Sequence, residues 1–280
     1  DTFTHVKDDA GRLLAFENLY ESSAGDVWLW GNNDGILRMR KDNHGNIDRK
    51  QFLPATETCN FLLEDTSGSI WIGTKKGLKK VTERDSTENY YNKEYYFTQA
   101  IELNGIIYFS TMEASLLVYN IKRNTFEEIF PAFEDALINL FRLSSQKLLV
   151  FSYSQGIWEY DIPTNAFRKS ELNADIHFAM DLQATYDKNG GVWFYNQLGM
   201  LWYCRGEDSG IRKMHLIPEN VMNTVGHDWH SFAIDAVLAD SEGLFWIMTY
   251  GYGLYSYDPG SGTLTTYTNQ PAEKSIASNY

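Results

Sequence analysis

Proline and cysteine are scarce in this sequence, with six and two of them in 280 residues. That scarcity excludes a disulfide scaffold and a low-complexity chain. Positive charge is also scarce. The formal net charge of −13 argues against a nucleic-acid partner, because phosphate contacts need clustered Lys and Arg. The apolar runs are far shorter than the roughly 20 residues of a membrane-spanning helix.

Motifs for covalent or cofactor chemistry are missing as well. The sequence has no Gly-x-Ser-x-Gly nucleophile motif, no P-loop and no dinucleotide fingerprint. Acidic pairs such as Glu127-Glu128 are best interpreted as solvated surface, since charged residues are seldom buried. We therefore expect no catalytic residues and no cofactor. Cys59 and Cys204 fall in different repeats of the pattern described next, so we expect two free thiols.

Aromatic residues are abundant instead, at 15%, and one aromatic-containing phrase recurs along the chain. Its clearest copy is the segment 64–78, in which Asp65 precedes Gly68 and Trp71, and a second clear copy begins at Asp240. Weaker copies fill the intervals at a period of about 40 residues, which is typical of propellers and solenoids. The positions that align with Trp71 are 28, 71, 108, 149, 193 and 246.

Each copy divides into four short strands, named a to d in chain order. Strand a, as in Cys59 to Glu64, ends in an Asp-x-x-Gly turn, in which Asp caps the turn and Gly takes the positive φ. Strand b contains the aligned aromatic residue, and a glycine-containing turn leads to strand c. Strand d alternates Thr with aromatics, as expected of an outer strand with one solvated face. We expect Trp71, Trp193 and Trp246 to fill the space between sheets.

Four antiparallel strands in a repeat of this length predict one blade of a β-propeller. The predicted fold class is therefore all-β, a propeller with six complete blades that is expected to belong to a ring of seven, or to a pair of such rings. The chain reads as a single propeller fragment, with partial blades at 1–7 and 275–280. The six repeats are placed at about 12–53, 56–97, 98–131, 136–172, 178–217 and 231–268.

The phrase at 64–78 resembles the two-component regulator propeller repeat, as do the strand endings at 257–267 and the lead-in at 275–279. This resemblance covers nearly the whole chain. It implies the periplasmic sensor region of a hybrid two-component histidine kinase, in which propellers and a β-sandwich precede a membrane helix and the kinase. It also implies an oligosaccharide ligand and control of polysaccharide-utilisation genes. A homodimer is a further possibility.

Ligands of propellers generally bind on the face that the d–a and b–c loops form. Aromatic, amide and charged side chains in these loops suit a sugar, because rings cover its apolar C–H patches and polar groups satisfy its hydroxyls. The pair His227 and His230 could hold a metal, but no third ligand is evident, so we interpret this segment as a pocket-shaping loop. The predicted ligand residues are Asn32, Asn33, Lys75, Tyr153, Tyr195, Asn196, His227, Trp229, His230, Tyr250 and Tyr252.

Three functions stay open at this point. The first is a sensor module that binds a small ligand, expected to be an oligosaccharide, and has no enzymatic activity of its own. The second is a propeller-fold polysaccharide lyase or glycoside hydrolase, for which two carboxylates roughly 5–10 Å apart would be needed. The third is a scaffold that docks other proteins. Fold alone does not decide among them.

Overall fold

The structure is a computed structural model, and it describes residues 16–31, 35–54, 56–81, 86–91, 93–174, 183–187, 191–195, 201–204, 211–214, 234–249 and 251–269. Contacts divide the chain into two compact units, residues 1–140 with 150–155 and residues 141–149 with 156–280. Nearly all regular structure in the described part is β-strand, and its one helical turn is the 3₁₀ segment Glu171–Ala174. None of these residues forms a helix with the length and hydrophobicity of a membrane span.

The described strands form six four-stranded sheets, each with its strands in chain order. Sheet one contains β1 Asn18–Glu21, β2 Val27–Gly31, β3 Gly35–Lys41 and β4 Ile47–Leu53. Sheet two contains β5 Cys59–Glu64, β6 Ile70–Thr74, β7 Gly77–Val81 and β8 Thr87–Asn89. Sheet three contains β9 Phe97–Leu103, β10 Ile106–Thr111, β11 Leu116–Asn120 and β12 Thr125–Ile129.

The remaining three sheets repeat this arrangement. Sheet four contains β13 Leu137–Arg142, β14 Lys147–Ser152, β15 Gly156–Asp161 and β16 Ala166–Lys169. Sheet five contains β17 Gln183–Tyr186, β18 Val192–Tyr195, β19 Leu201–Cys204 and β20 Ile211–Met214. Sheet six contains β21 Ile234–Ala239, β22 Phe245–Thr249, β23 Gly253–Asp258 and β24 Thr263–Tyr267. The predicted all-β propeller class, with four antiparallel strands per blade, is confirmed.

The a–b turn of sheet two explains the recurring Asp-x-x-Gly-x-x-Trp spacing. Asp65 Oδ1 accepts hydrogen bonds from the backbone N–H of Ser67 (2.9 Å) and of Ser69 (3.0 Å), and Gly68 has φ +79°. Asp65 Oδ2 accepts the indole N–H of Trp71 at 2.7 Å. One carboxylate therefore holds the turn and orients the buried tryptophan of the next strand.

The same turn recurs with one variation. In sheet six, Asp240 Oδ2 accepts the indole N–H of Trp246 at 2.9 Å, as Asp65 does for Trp71. In sheet five, Asp187 Oδ2 instead accepts the hydroxyl of Tyr203 at 3.0 Å. The sequence pattern predicted the capping role of Asp, whereas the bond to tryptophan is a feature of the structure.

Stacking between consecutive sheets buries the aligned aromatics in both units. In the first unit, Trp71 is fully buried and its ring lies 5.7 Å from that of Phe109 in sheet three. In the second unit, Trp193 is buried and its ring lies 4.3 Å from that of Phe245 in sheet six. The predicted inter-sheet position is thus correct for these two tryptophans.

Trp246 is a correction to that prediction. It is only half-buried, and Leu238 and Met248 on the same face of sheet six are 64% and 52% exposed. This face of sheet six is largely exposed, and the ring of Trp246 contacts only Tyr267 of its own sheet among the described aromatics, at 5.7 Å.

Polar side chains also join consecutive sheets of the first unit. A β-bulge in β5 turns Asn60 toward sheet three, where its Nδ2 donates to the carbonyl of Phe97 at 2.6 Å. The equivalent bulge residue in β9, Thr98, donates to the carbonyl of Leu137 at 2.7 Å. Because each bond runs from one strand a to the next, these bulges set the spacing of the inner strands.

Carboxylates at the ends of strand a make a second set of links. Glu64 Oε2 accepts the hydroxyl of Tyr20 at 2.7 Å and the backbone N–H of Ser23 at 2.8 Å, both in sheet one. Glu102 likewise accepts the backbone N–H of Thr66 in sheet two at 2.7 Å. The a–b turn of one sheet is therefore held by the strand a of the next.

Candidate functional site

The candidate site lies at the edge of the sheets that carries the b–c turns and the d–a loops. Because neighbouring strands run antiparallel, these two kinds of connection share one edge, and the a–b and c–d turns share the other. The a–b edge is occupied by the Asp turns and inter-sheet carboxylates described above. The b–c edge is the face on which the sequence predicted the ligand residues, and it is the candidate site.

A hydroxyl at the end of strand b fixes the b–c turns. Thr74 Oγ1 donates to the carbonyl of Gly77 at 2.9 Å and accepts the N–H of Lys76 at 3.1 Å. Thr111 and Thr249 occupy the same place in sheets three and six, and their hydroxyls donate across the turn at 3.0 and 2.8 Å. The hydroxyl contact is repeated, although it spans three residues in sheet two and four residues in sheets three and six.

The first residue after strand b is exposed wherever the structure describes it. Lys75 follows β6, Met112 follows β10 and Tyr153 follows β14, and Tyr153 is 55% exposed. Three of the predicted ligand residues hold the same position after strand b in the sequence but lie outside the described residues, namely Asn32, Asn196 and Tyr250. One repeated position thus accounts for five of the eleven predicted residues.

Met112 is the member of this set that the sequence reading missed. The sequence analysis selected aromatic, amide and charged loop residues as suited to a sugar, and methionine is none of these. The Thr that precedes Met112 at position 111 corresponds to Thr74 and Thr249, and this Thr spacing is the signal that could have found it.

Carboxylates fix the d–a loops to the b–c turns in two consecutive repeats. In sheet three, both carboxylate oxygens of Glu113 lie 3.1 Å from the backbone N of Tyr96, and the N–H of Met112 donates to the carbonyl of Tyr96 at 3.0 Å. Glu113 is in the turn and Tyr96 is in the loop. The aromatic ring of Tyr96 is therefore attached to a doubly anchored backbone.

In the next repeat the carboxylate comes from the loop. Asp135 Oδ2 accepts the N–H of Ser154 at 2.6 Å and of Gln155 at 3.0 Å, and the N–H of Tyr153 donates to the carbonyl of Ala136 at 2.9 Å. Burial would raise the pKa of Asp135, but these hydrogen bonds outweigh it, so the pKa lies below its usual range. Asp135 is thus ionised at neutral pH and holds the turn that displays Tyr153.

One predicted residue, Tyr195, does not occupy the loop position expected for it. Tyr195 is the last residue of strand β18, is buried, and donates its hydroxyl to Gln183 Oε1 at 2.8 Å. The loop placement of Tyr195 is therefore corrected, because sheet six packs over it. Tyr252 lies in the b–c turn of sheet six, half-buried against the same cluster.

The other predicted residues cannot be assigned a geometry. Asn33, His227, Trp229 and His230 lie outside the described residues. Within the described part of the chain, no group of three or more His, Cys, Asp or Glu residues is arranged to hold a metal. Cys59 and Cys204 are both buried and are not in a disulfide, and burial raises the pKa of the Cys59 thiol.

Sheets of this kind, repeated in chain order, define the class of protein as a β-propeller. Solved structures with the same fold include extracellular domains of two hybrid two-component systems from B. thetaiotaomicron. BT4673 matches with a TM-score of 0.69 and 15% identity over 94% of this chain, and BT3049 with 0.66 and 17% over 90%. This chain spans 37% and 34% of those two domains.

An enzyme of the same fold is also similar. Virginiamycin B lyase from Staphylococcus aureus matches with a TM-score of 0.65 and 13% identity, over 90% of this chain and 83% of the lyase. At these identities the similarity establishes the fold. A scan against protein-family models and a search of curated proteins gave no match.

Proposed function

We propose that this chain is the ligand-sensing module of a two-component signalling receptor, located outside the cytoplasm, and that it binds an oligosaccharide on the b–c edge. The observation that carries this proposal is the exposure of chemically different side chains at one repeated, rigidly held position, exemplified by Tyr153. Side chains on a backbone that is already held in place lose little conformational entropy on binding, which favours recognition of small polar ligands.

Similarity to receptor domains supports a sensor in preference to an enzyme. The similar extracellular domains belong to hybrid two-component systems, and this chain corresponds to about a third of their length. In such a receptor the kinase is a covalent partner across the membrane. A ligand drives signalling only if it binds one arrangement of the receptor better than another, through the packing of neighbouring propellers or of two subunits.

A lyase is the second candidate, because the similar Staphylococcus aureus enzyme is matched over most of its length. The distinction is chemical. A sensor returns its oligosaccharide unchanged, whereas a lyase or hydrolase converts it. Product analysis by mass spectrometry after prolonged incubation separates the two, and cleavage at a catalytic rate would rule out the sensor-only function.

A thermal-shift screen against neutral and acidic oligosaccharides tests binding itself. We expect at least one sugar to raise the melting temperature, because a ligand that binds only the folded state stabilises it by mass action. Tyr153→Ala should weaken the binding of that sugar about tenfold, as expected for an exposed aromatic anchor.

Ile47→Ala is the matched control for Tyr153→Ala, since Ile47 is also 55% exposed but begins strand β4 at the opposite, c–d edge. It should bind the sugar as the wild type does. Equal losses in both variants would mean that Tyr153 has no special role. No shift with any sugar would favour a protein-docking scaffold and contradict the proposal.

A further inference from the structure

The b–c turn of sheet two carries two adjacent cations without a partner in the described part of the chain. Lys75 and Lys76 are both exposed, and no described carboxylate lies within ion-pairing distance of either. Other lysines of the same unit are paired: Lys79 Nζ lies 2.9 Å from Glu57 Oε2, and Lys93 is bonded to Glu128. Acidic residues outnumber basic ones in the chain, 37 to 24, and these two neighbouring lysines lie on the ligand edge.

The position of these lysines is set by the turn. The hydroxyl of Thr74 accepts the N–H of Lys76 and donates to the carbonyl of Gly77. The backbone that carries both lysines is therefore held by hydrogen bonds within the turn. A ligand that binds them has to order only the side chains, which lowers the entropy cost of recognition.

Tyr96 adds an aromatic surface to the two cations. Its ring centroid lies 5.8 Å from Lys75 Nζ, and its backbone is held by Met112 and Glu113 as described above. The ring is half-buried, and its hydroxyl makes no hydrogen bond to any described residue. The cluster thus presents two ammonium groups, one free phenol and a ring face, all on anchored backbone.

Ammonium groups form their strongest hydrogen bonds with carboxylates and sulfates, because both partners are charged. An aromatic ring covers the apolar C–H face of a pyranose, and a phenol bonds a ring hydroxyl. A uronic acid or a sulfated sugar combines these three features in one residue. Carboxylates hold the surroundings of both turns, Asp135 beside Tyr153 and Glu113 at the backbone N–H of Tyr96, so the two ammonium groups are what distinguishes the turn of sheet two.

From this geometry we infer that Lys75, Lys76 and Tyr96 form a subsite for an anionic sugar residue, a uronate or a sulfated unit, of the bound oligosaccharide. This inference rests on the proposed function and specifies the chemistry of its ligand. It assigns Lys75 and Lys76 to charge recognition and Tyr96 to stacking.

Calorimetric titration with trigalacturonate, an oligomannuronate and a sulfated disaccharide tests the inference. At least one of these should bind, and the double variant Lys75→Met with Lys76→Met should weaken its binding about tenfold. Raising the salt concentration should weaken the wild type toward the variant, because salt screens exposed charges. The methyl ester of trigalacturonate is a neutral ligand with the same skeleton. We expect the wild type to bind this ester about tenfold more weakly than it binds trigalacturonate.

The control variant replaces Lys122 and Arg123 by Met, an exposed cationic pair in the c–d turn at the opposite edge. It should bind as the wild type does. If a neutral sugar binds while the acidic ones do not, or if the Lys75 and Lys76 variant binds like the control, the inference is wrong and the proposed function stands. If no sugar binds, the proposed function fails too. Equal binding of a polyglutamate peptide would overturn the sugar subsite in favour of an acidic protein partner.

Discussion

Trp71→Ala is expected to lower the free energy of unfolding by about 3–5 kcal/mol, as measured by denaturant unfolding. Trp71 is fully buried, with its ring 4.8 Å from that of Tyr90 and 4.9 Å from that of Tyr119. Lys80 also lies over the indole, 4.7 Å from its centroid. Removing the indole leaves a cavity between sheets two and three that the surrounding rings cannot fill.

Trp246→Ala is the matched control, because Trp246 holds the same position in its repeat and the same bond to an aspartate. It is half-buried on a largely exposed face, so its replacement should cost about 1–2 kcal/mol. Equal losses for the two variants would mean that packing between consecutive sheets does not stabilise this protein, and would contradict the propeller account of the repeats.

Asp65→Ala should lower the free energy of unfolding by about 2–4 kcal/mol. The substitution removes two backbone hydrogen bonds from the a–b turn and leaves the buried indole N–H of Trp71 without an acceptor. A buried unsatisfied donor alone costs about 1–3 kcal/mol. Asp65→Asn retains an oxygen for the turn but not for both partners, so it should fall between the wild type and Asp65→Ala in chemical denaturation.

The contribution of Asp65 to the free energy of unfolding should also depend on pH. Burial would raise its pKa, but the hydrogen bonds from Ser67, Trp71 and Ser69 outweigh it and lower the pKa. The stabilisation is therefore complete above the unfolded-state pKa of about 4 and is lost as the pH falls through the folded-state value. Denaturation curves of wild type and Asp65→Asn should converge in acid, and a gap that widens there would contradict this assignment.

The strand pattern of the repeats could be predicted because two signals agree. The turn motif recurs about every 40 residues, and residue types alternate along strand d. The bounds expected for strand a at Cys59 to Glu64 match β5, since its mainly apolar residues stop at an Asp-x-x-Gly turn whose geometry only a few residues permit. Trp246 was misjudged for a physical reason. The motif specifies where the ring lies in its own sheet, while burial depends on whether another sheet covers it.

The candidate site was only partly readable from sequence. Lys75 and Tyr153 were found because they follow recognisable strands b, but the carboxylates that hold their surroundings were not. Glu113 and Asp135 bond to backbone N–H groups in a neighbouring connection, and a backbone partner leaves no trace in residue type. Acidic pairs such as Glu127-Glu128 were interpreted as solvated surface, but Glu128 is ion-paired with Lys93, and Asp135 is a bridging residue.

Hydrogen exchange with and without the sugar selected by the screen tests the central claim, that ligand recognition takes place on the b–c edge. Mass spectrometry should report slower exchange on binding in the segments 74–77, 111–115 and 152–155, because a bound ligand restricts opening of these turns. Exchange in the c–d turns at 42–46 and 121–124 should not change. Protection confined to the c–d or a–b turns would contradict the account.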